Sequence, residues 1–157
     1  MENEISIKTA VSAPDFLAAK ALILEYAEWL GMDLSFQNFD KEMESLQEMY
    51  NPLNGALFMG INNGNPVAVA GVRRFAGKVC EVKRMFVQPA SRGLGIGKLL
   101  LTECIEKAKS LSYESVKLDT ADFMKLAIKL YTDHGFVEIP AYRHNPHEAA
   151  RYFELVL

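Results

Sequence analysis

The sequence predicts a mixed α/β fold, with an antiparallel N-terminal half, a parallel crossover in the C-terminal half, and helices on both faces of one sheet. The first half contains strand-like apolar runs separated by short turns, and Asn63-Gly64 is a strong hairpin signal. The second half alternates strand-like and helix-like segments, which is typical of parallel strands joined by helices. The chain has 157 residues, half of them hydrophobic, which is enough for a single domain spanning residues 1–157.

The first half is predicted to begin with a strand over Ile5–Ala10. A helix follows, with Ser12 as its N-cap and Pro14 in its first turn, and it ends at Gly31. A second helix is expected over Asp40–Tyr50, before the helix-breaking Asn-Pro pair. Three strands then form an antiparallel meander: Ala56–Ile61, Pro66–Phe75 and Val79–Val87.

The second half is predicted to contain two helices with apolar residues at helical spacing, Ile96–Leu111 and Phe123–His134. Three short strand-like segments alternate with them and complete the sheet. These segments are Val116–Leu118, Phe136–Ile139 and Tyr152–Leu157.

Composition excludes several classes of function. A net charge of −3 gives no reason to expect nucleic acid binding. The N-terminus lacks the pattern of a secretory signal, and no apolar run is long enough to span a bilayer. Cys80 and Cys104 lie in apolar segments and are interpreted as free buried thiols, so we expect a cytoplasmic protein. No Cys/His cluster has metal-ligand spacing, so no metal is expected.

The segment Pro89–Lys98 carries the strongest functional signal, because it places three alternating glycines between a strand and an amphipathic helix. Glycine permits positive φ and leaves no Cβ to obstruct a ligand. The first N–H groups of the following helix are unpaired and lie at the positive end of its dipole. With Arg92 and Lys98 adding charge, this turn is suited to a phosphate or pyrophosphate.

Two common phosphate loops do not match this turn. A nucleoside triphosphate loop needs four residues between its glycine and Gly-Lys, followed by Ser or Thr, whereas three residues separate Gly93 from Gly97 and Leu99 follows Lys98. The dinucleotide fingerprint needs its third glycine one position after Gly97 and usually opens a βαβ unit. The remaining alternative is a tight strand–helix turn without a ligand.

Three segments together resemble the GNAT superfamily of N-acetyltransferases. Arg92, Gly95 and Gly97 match its pyrophosphate signature, in which Arg or Gln is followed by two residues, Gly, one residue, and Gly or Ala. Glu81–Val87 resembles the central strand of that family, and Ala127–Phe136 resembles its fourth-helix signature. The resemblance extends over residues 67–139 and implies a GNAT-like sheet and an acetyl-CoA-dependent N-acetyltransferase.

The resemblance also implies roles for individual residues. Tyr131 would be the general acid, and backbone groups of Met85 and Val87 would contact the acetyl carbonyl and pantetheine arm. Many members have an Asn seven positions before the tyrosine, where this chain has Met124. We expect that contact to be absent or replaced by Thr120 or Asp122. The implied cofactor-binding residues are Met85, Phe86, Val87, Arg92, Gly93, Leu94, Gly95, Ile96, Gly97 and Lys98.

The chemistry requires a base, because a free alkyl amine has a pKa of about 10.4 and is protonated at neutral pH. Glu81 is the candidate, since it stands eleven positions before Arg92, the offset of the base in the histone-modifying branch of the family. Water or another carboxylate is the alternative. Tyr131 is either the acid or a packed core residue. Proton transfer from phenol to thiolate is uphill by about 2 kcal/mol, so hydrogen bonding to the sulfur is an alternative role.

The acceptor is predicted from charge. Between Glu25 and Tyr50 seven charged residues are acidic and one is basic, in the region that shapes the acceptor site of this family. An acidic cleft concentrates cations, so we expect a small-molecule or peptide amine that is cationic. The alternative is that these acids form solvated helix faces. Loop residues His144 and His147 either line the acceptor pocket or are exposed.

Aromatic residues in the first two helices and their connection shape the acceptor site or belong to the core; they are Tyr26, Trp29, Phe36, Phe39 and Tyr50. The expected reaction is direct attack of a primary amine on acetyl-CoA in a ternary complex, because neither cysteine lies in a motif for a covalent intermediate. An exposed edge of the sheet favours a homodimer. Two rival functions are a non-catalytic coenzyme A-binding module and a nucleotide-binding oxidoreductase.

Overall fold

A seven-stranded sheet with the order β1-β2-β3-β4-β5-β7-β6 forms the centre of the computed structural model. The structure describes residues 3–31, 33–34 and 38–157. The strands are β1 (Ile5–Thr9), β2 (Ala56–Asn62), β3 (Asn65–Ala76), β4 (Val79–Val87), β5 (Ser115–Ala121), β6 (Val137–Ile139) and β7 (Ala150–Val156).

Two layers of helices cover the sheet. They are α1 (Ala13–Leu30), α2 (Phe39–Glu44), α3 (Leu46–Met49), α4 (Ile96–Ser110) and α5 (Lys125–Asp133), with a short 3₁₀ turn at Pro89–Ser91. α1 begins with the capping box of Ser12 and Asp15 and ends at Gly31, which has φ +68°. No helix among the described residues is both long and apolar enough to pass through a bilayer.

The single helix predicted over residues 40–50 is wrong, because the structure has two short helices there. Ser45 interrupts them with φ −131°, outside the helical region. Serine competes for backbone hydrogen bonds and is a poor helix-interior residue. Phe36, assigned to this region, lies outside the described residues.

The predicted change of topology in mid-chain is confirmed. β1 to β4 pair antiparallel, and the β2–β3 turn uses positive φ at Asn63 and Gly64. α4 then crosses over the sheet, so that β4 and β5 are parallel. β7 returns between β5 and β6 and pairs antiparallel with both strands.

The core has one apolar cluster on each face of the sheet. α4 and α5 pack on one face around Leu100 and Phe153, and α1 to α3 pack on the other around Ile23 and Leu57. Both cysteines are free and buried in the first cluster, as predicted. Several apolar helix residues expected at helical spacing are instead exposed; they are Leu17, Leu24, Leu99 and Leu126.

A bulge in β4 positions the functional site. Arg84 has φ +60°, and Val69 pairs with Phe86 while Gly71 pairs with Lys83, so β4 carries one extra residue. Pairing between β4 and β5 ends at Glu81. Beyond that point, within the described chain, the two strands diverge and the edge of β4 facing β5 is left without a strand partner.

Candidate active site

Two hollows occupy the space where β4 and β5 diverge, and both are lined by Met85, Met124 and Tyr131. We call the first the glycine-turn groove; it encloses about 460 Å³ between the glycine turn, residues 85–87 of β4 and residues 123–127. We call the second the inner cavity; it encloses about 60 Å³ between α1, residues 82–85 of β4 and residues 119–121 of β5. Tyr131 therefore lies where the two hollows meet.

The glycine turn has the backbone conformation that its sequence predicts. Gly93 and Gly95 have φ of +84° and +81°, and nothing lies within 4 Å of the position that a Cβ would occupy at either. Gly95 is the N-cap of α4 and supplies no side chain to its first N–H groups. Gly97 packs closely, because a Cβ there would lie 3.4 Å from Leu130. The turn thus presents open space in front of a helix N-terminus.

Two predicted cations border this groove, but they differ in setting. Lys98 is exposed at the start of α4. Arg92 donates from Nε to the carbonyl of Val87 at 2.9 Å, and its guanidinium lies 4.7 Å from the ring centre of Trp29. The Val87 carbonyl keeps a second lone pair. Nine of the ten predicted cofactor-binding residues line the groove, and Leu94 is the one that does not.

Tyr131 is held rigidly at the junction of the hollows. It is 5% exposed, and its hydroxyl lies 3.8 Å from the sulfur of Met85. Gly135, at φ +93°, ends α5, and Phe136 N–H donates to the Tyr131 carbonyl at 3.1 Å. Burial raises the pKa of the Tyr131 phenol well above its usual range. The hydroxyl therefore stays protonated and is available as a donor.

Glu81 lies in a buried ion pair away from the inner cavity. It is 1% exposed, and its two oxygens accept from Arg143 Nη2 at 2.6 Å and from the Tyr142 hydroxyl at 2.7 Å. It is not among the residues that line either hollow. Loop residues 142–143 contact this carboxylate and shield it from solvent.

A second buried ion pair neutralises the charge of Arg84, the residue at the β4 bulge. Arg84 donates to both oxygens of Glu42 at 2.8 and 3.1 Å, and the Tyr50 hydroxyl donates to Glu42 at 3.1 Å. Burial opposes the charge of Glu42, but the hydrogen bond and charge of Arg84 outweigh it and hold the pKa of that carboxyl below its usual range. Phe39 lies against the Arg84 guanidinium, with 5.0 Å between Cζ and the ring centre.

The charged residues that line the inner cavity were not singled out for this site from the sequence. Asp119 on β5 is the one carboxylate that lines it within residues 3–31, 33–34 and 38–157, and it accepts from Asn145 Nδ2 at 3.4 Å. Lys83 on β4 also lines it and is 5% exposed. Burial, together with the charge of Arg84, lowers the pKa of Lys83 to about 8.

The sequence contained a partial signal for Asp119. Its predicted strand ended at Leu118, whereas pairing with β7 extends β5 to Ala121. A carboxylate directly after a strand that runs parallel to its neighbour was the available clue. Thr120 lies beside Met124, the residue at the position where many family members have Asn, since its hydroxyl is 3.5 Å from the Met124 sulfur. Asp122, the other candidate for that contact, is exposed.

The acidic residues between Glu25 and Tyr50 are not among those that line the inner cavity, although Tyr26, Leu30 and Leu34 of the same segment do line it. Six of these seven acids are exposed, and the seventh, Glu42, is paired with Arg84. His147 does line the cavity, and its Nε2 lies 2.9 Å from the Asp33 carbonyl, whereas His144 is exposed. The solvated-face interpretation of the acids is thus the one that the described side chains support. In the part of the chain that the structure describes, no cluster of His, Cys, Asp or Glu could hold a metal ion.

Comparisons with known proteins agree with this geometry. The family model of the Acetyltransferase (GNAT) family matches residues 23–136. An uncharacterised N-acetyltransferase of Schizosaccharomyces pombe is 37% identical over 98% of this chain and 95% of its own. A GNAT-family acetyltransferase of Staphylococcus aureus superposes with a TM-score of 0.79 at 24% identity, over 96% of this chain and 98% of that one.

The fold is also shared with the PaiA N-acetyltransferase of Thermoplasma acidophilum, which was solved in complex with coenzyme A. That structure has a TM-score of 0.74 at 16% identity and covers 98% of this chain and 99% of its own. The extent of the family match, together with a relative 37% identical over nearly the whole chain, places this protein in the GNAT family as an acetyltransferase.

Proposed function

We propose that this protein transfers the acetyl group of acetyl-CoA to a primary amine by direct attack in a ternary complex. The observation that carries the proposal is the meeting of the glycine-turn groove and the inner cavity at Tyr131. A thioester in the groove and an amine in the cavity would react where the two spaces join. Holding both reactants in one site removes much of the entropic barrier to a reaction between two molecules.

The GNAT family uses acetyl-CoA as its acetyl donor. The groove has the features that binding of acetyl-CoA requires. Backbone N–H groups between Gly93 and Lys98 lie at the start of a 15-residue helix, where a pyrophosphate is favoured. The unpaired edge of β4, at residues 85–87, offers backbone groups for the amides of the pantetheine arm. Backbone donors there would also stabilise the oxyanion of the tetrahedral intermediate.

Asp119 is our choice for the general base, acting directly or through a water. It lines the inner cavity, where the amine must lose a proton, and the described lining contains no other carboxylate. Glu81, the candidate from sequence, is the second choice, because Arg143 and Tyr142 occupy both of its oxygens.

Tyr131 acts mainly as a hydrogen-bond donor to the leaving sulfur. Its pKa is raised by burial, so full proton transfer to a thiolate is further uphill than for an ordinary phenol. A neutral donor aimed at the sulfur still stabilises the negative charge that develops as the C–S bond breaks.

Direct attack is favoured over a covalent acyl-enzyme. Burial raises the pKa of Cys80 to about 12, and it raises the pKa of Cys104 further. Thiols that remain protonated and enclosed are poor nucleophiles. Neither cysteine lines either hollow.

Initial-rate kinetics test the proposal. Release of the coenzyme A thiol is measured while acetyl-CoA and an amine are varied together, over a panel of amino acids, polyamines, aminoglycosides and peptides. We expect release that depends on the amine, with intersecting double-reciprocal lines. Parallel lines would indicate an acyl-enzyme, and tight acetyl-CoA binding without release for any amine would indicate a non-catalytic binding module.

A further inference from the structure

We propose that Met124 limits the acyl group that this protein transfers to acetyl, because its side chain narrows the passage in which the acyl group lies. The inference deepens the proposed function and rests on it, since it concerns the donor used in the same site. A shorter side chain at this position should let the protein transfer longer acyl groups, from propionyl-CoA and butyryl-CoA.

Three side chains form the passage between the two hollows. Among the described residues, the linings of the glycine-turn groove and the inner cavity have in common only Met85, Met124 and Tyr131. A group that extends from the groove into the cavity therefore lies against these three side chains. Two of them are methionines, whose unbranched side chains fill irregular spaces.

The acyl group of a bound thioester belongs in this passage. The Tyr131 hydroxyl, which lies 3.8 Å from the Met85 sulfur, is the proposed donor to the thioester sulfur. The acyl carbonyl carbon is bonded to that sulfur, and the attacking amine lies in the inner cavity. Since the carbonyl carbon is placed between the sulfur and the amine, the acyl chain lies against the side chains that line both hollows.

The space beyond the passage is small. The inner cavity encloses about 60 Å³, and it must hold the amine as well as the end of the acyl chain. Each further methylene of a propionyl or butyryl group would compete with the amine or displace a side chain of the passage. A close-fitting apolar pocket discriminates by about 10- to 200-fold against one extra methylene.

The two methionines of the passage are held differently. Met85 lies within β4, and its sulfur contacts the Tyr131 hydroxyl, so shortening it would also change the surroundings of that hydroxyl. Met124 is half-buried and precedes α5 with ψ +65°, outside the helical region. Its sulfur lies 3.5 Å from the Thr120 hydroxyl. Met124 can therefore be shortened without removing the contact between Met85 and Tyr131.

The length of the acyl chain leaves the bonds that form and break unchanged. The amine nitrogen attacks the acyl carbonyl carbon, a C–N bond forms, and the C–S bond of the thioester breaks. The amine loses one proton to Asp119 or to a water, and coenzyme A leaves as a thiolate that takes up a proton. Differences in rate between acyl donors therefore measure the fit of the acyl chain.

A series of acyl donors with one acceptor tests the inference. Thiol release is measured for acetyl-, propionyl- and butyryl-CoA with the best amine of the panel, in wild type and Met124→Ala. We expect kcat/KM of wild type to be at least about 10-fold higher for acetyl-CoA than for propionyl-CoA, and Met124→Ala to lower this ratio by at least about 10-fold. Because each ratio is taken within one protein, partial unfolding of the variant does not change it. Wild type that uses propionyl-CoA as well as acetyl-CoA, or an unchanged ratio in Met124→Ala, overturns the inference.

Two further variants assign the effect to the bulk of this side chain. Met124→Leu keeps a similar volume and should keep the preference for acetyl-CoA. Met49→Ala is the matched control, because Met49 is also half-buried, its sulfur also has a weak contact, 3.9 Å from Arg73, and it lines neither hollow. A gain with propionyl-CoA in Met49→Ala equal to that in Met124→Ala would overturn the inference.

Failure of the proposed function would give a different result, namely no thiol release with any amine. Calorimetric titration with the same three acyl-CoA compounds, which needs no acceptor, then decides the question. Weaker binding of butyryl-CoA than of acetyl-CoA in wild type, with the difference removed in Met124→Ala, supports the inference. Equal affinities in wild type, or a difference that persists in Met124→Ala, overturn it.

Discussion

Among single residues, Tyr131 has a position that packing alone does not require. Its ring packs with Phe136 and Phe153, at centroid distances of 6.0 and 6.4 Å. Its hydroxyl instead reaches the junction of the two hollows, where it contacts the weak acceptor sulfur of Met85. A buried hydroxyl normally has a strong partner, so the proposed partner is the sulfur of the bound thioester.

Tyr131→Phe keeps the ring and removes that donor. We expect kcat to fall by about 10²-fold, with acetyl-CoA affinity nearly unchanged in calorimetry. Because burial raises the pKa of Tyr131, ionisation of the phenol should cause no loss of wild-type kcat up to about pH 10. A variant with normal kcat, under conditions where chemistry limits the rate, would reduce Tyr131 to a packing residue.

Asp119 and Glu81 make contrasting predictions. Asp119→Asn should lower kcat/KM by about 10²-fold or more, with little change in melting temperature. Glu81→Gln should mainly lower the melting temperature, because Arg143 loses its buried counter-charge. If Glu81→Gln abolished turnover in a folded protein while Asp119→Asn left kcat/KM unchanged, the assignment of the base would reverse.

Among the elements, the glycine turn is the part of the site that the sequence predicted best. Positive φ favours glycine, so the glycines at positions 93 and 95 allowed the backbone conformation of the turn to be predicted. The β4 bulge is different, because its positive φ falls on Arg84, a residue that rarely adopts it. A bulge changes which face the following residues point to. The face of the sheet to which Lys83 and Arg84 point therefore could not be predicted from the alternation of the strand residues.

Gly95→Val tests the turn as an anion site. The substitution places a side chain in open space where a pyrophosphate would approach, and we expect acetyl-CoA affinity to fall beyond detection in calorimetry. Valine is strained at φ +81°, so a matched control is needed.

Gly64→Val provides that control, because Gly64 has φ +83° and equally open surroundings in the β2–β3 turn. Both variants should lose similar stability, whereas only the change at Gly95 should abolish binding. Unchanged acetyl-CoA affinity in a folded Gly95→Val protein would mean that the turn does not hold the cofactor.

For the whole molecule, the order of elements was predictable because each half has its own pattern. The hairpin signals and the helix periodicity depend on neighbouring residues, and the structure confirms both. Side-chain direction depends on pairing between distant segments. β5 extends past Asp119 because of β7. Most acids of α1 and α2 point outward because the opposite helix faces are buried, whereas Glu42 is buried against Arg84. Such contacts decide the charge of the cavity and could not be read from local sequence.

The edge strands of the sheet are β1 and β6. A homodimer that forms through one of these edges stays a prediction. The same holds for the cytoplasmic location and for the single-domain organisation.

The central claim is that one acetyl group passes from acetyl-CoA to an amine nitrogen in this site. Its most direct test is incubation with acetyl-CoA carrying a ¹³C-labelled acetyl group and a mixture of amino acids, followed by mass spectrometry and NMR of the products. We expect labelled acetyl on an amine nitrogen, in equal amount to the thiol released, and absent with Tyr131→Phe at short times. Thiol release without a labelled amide, or label retained on the protein, would contradict it.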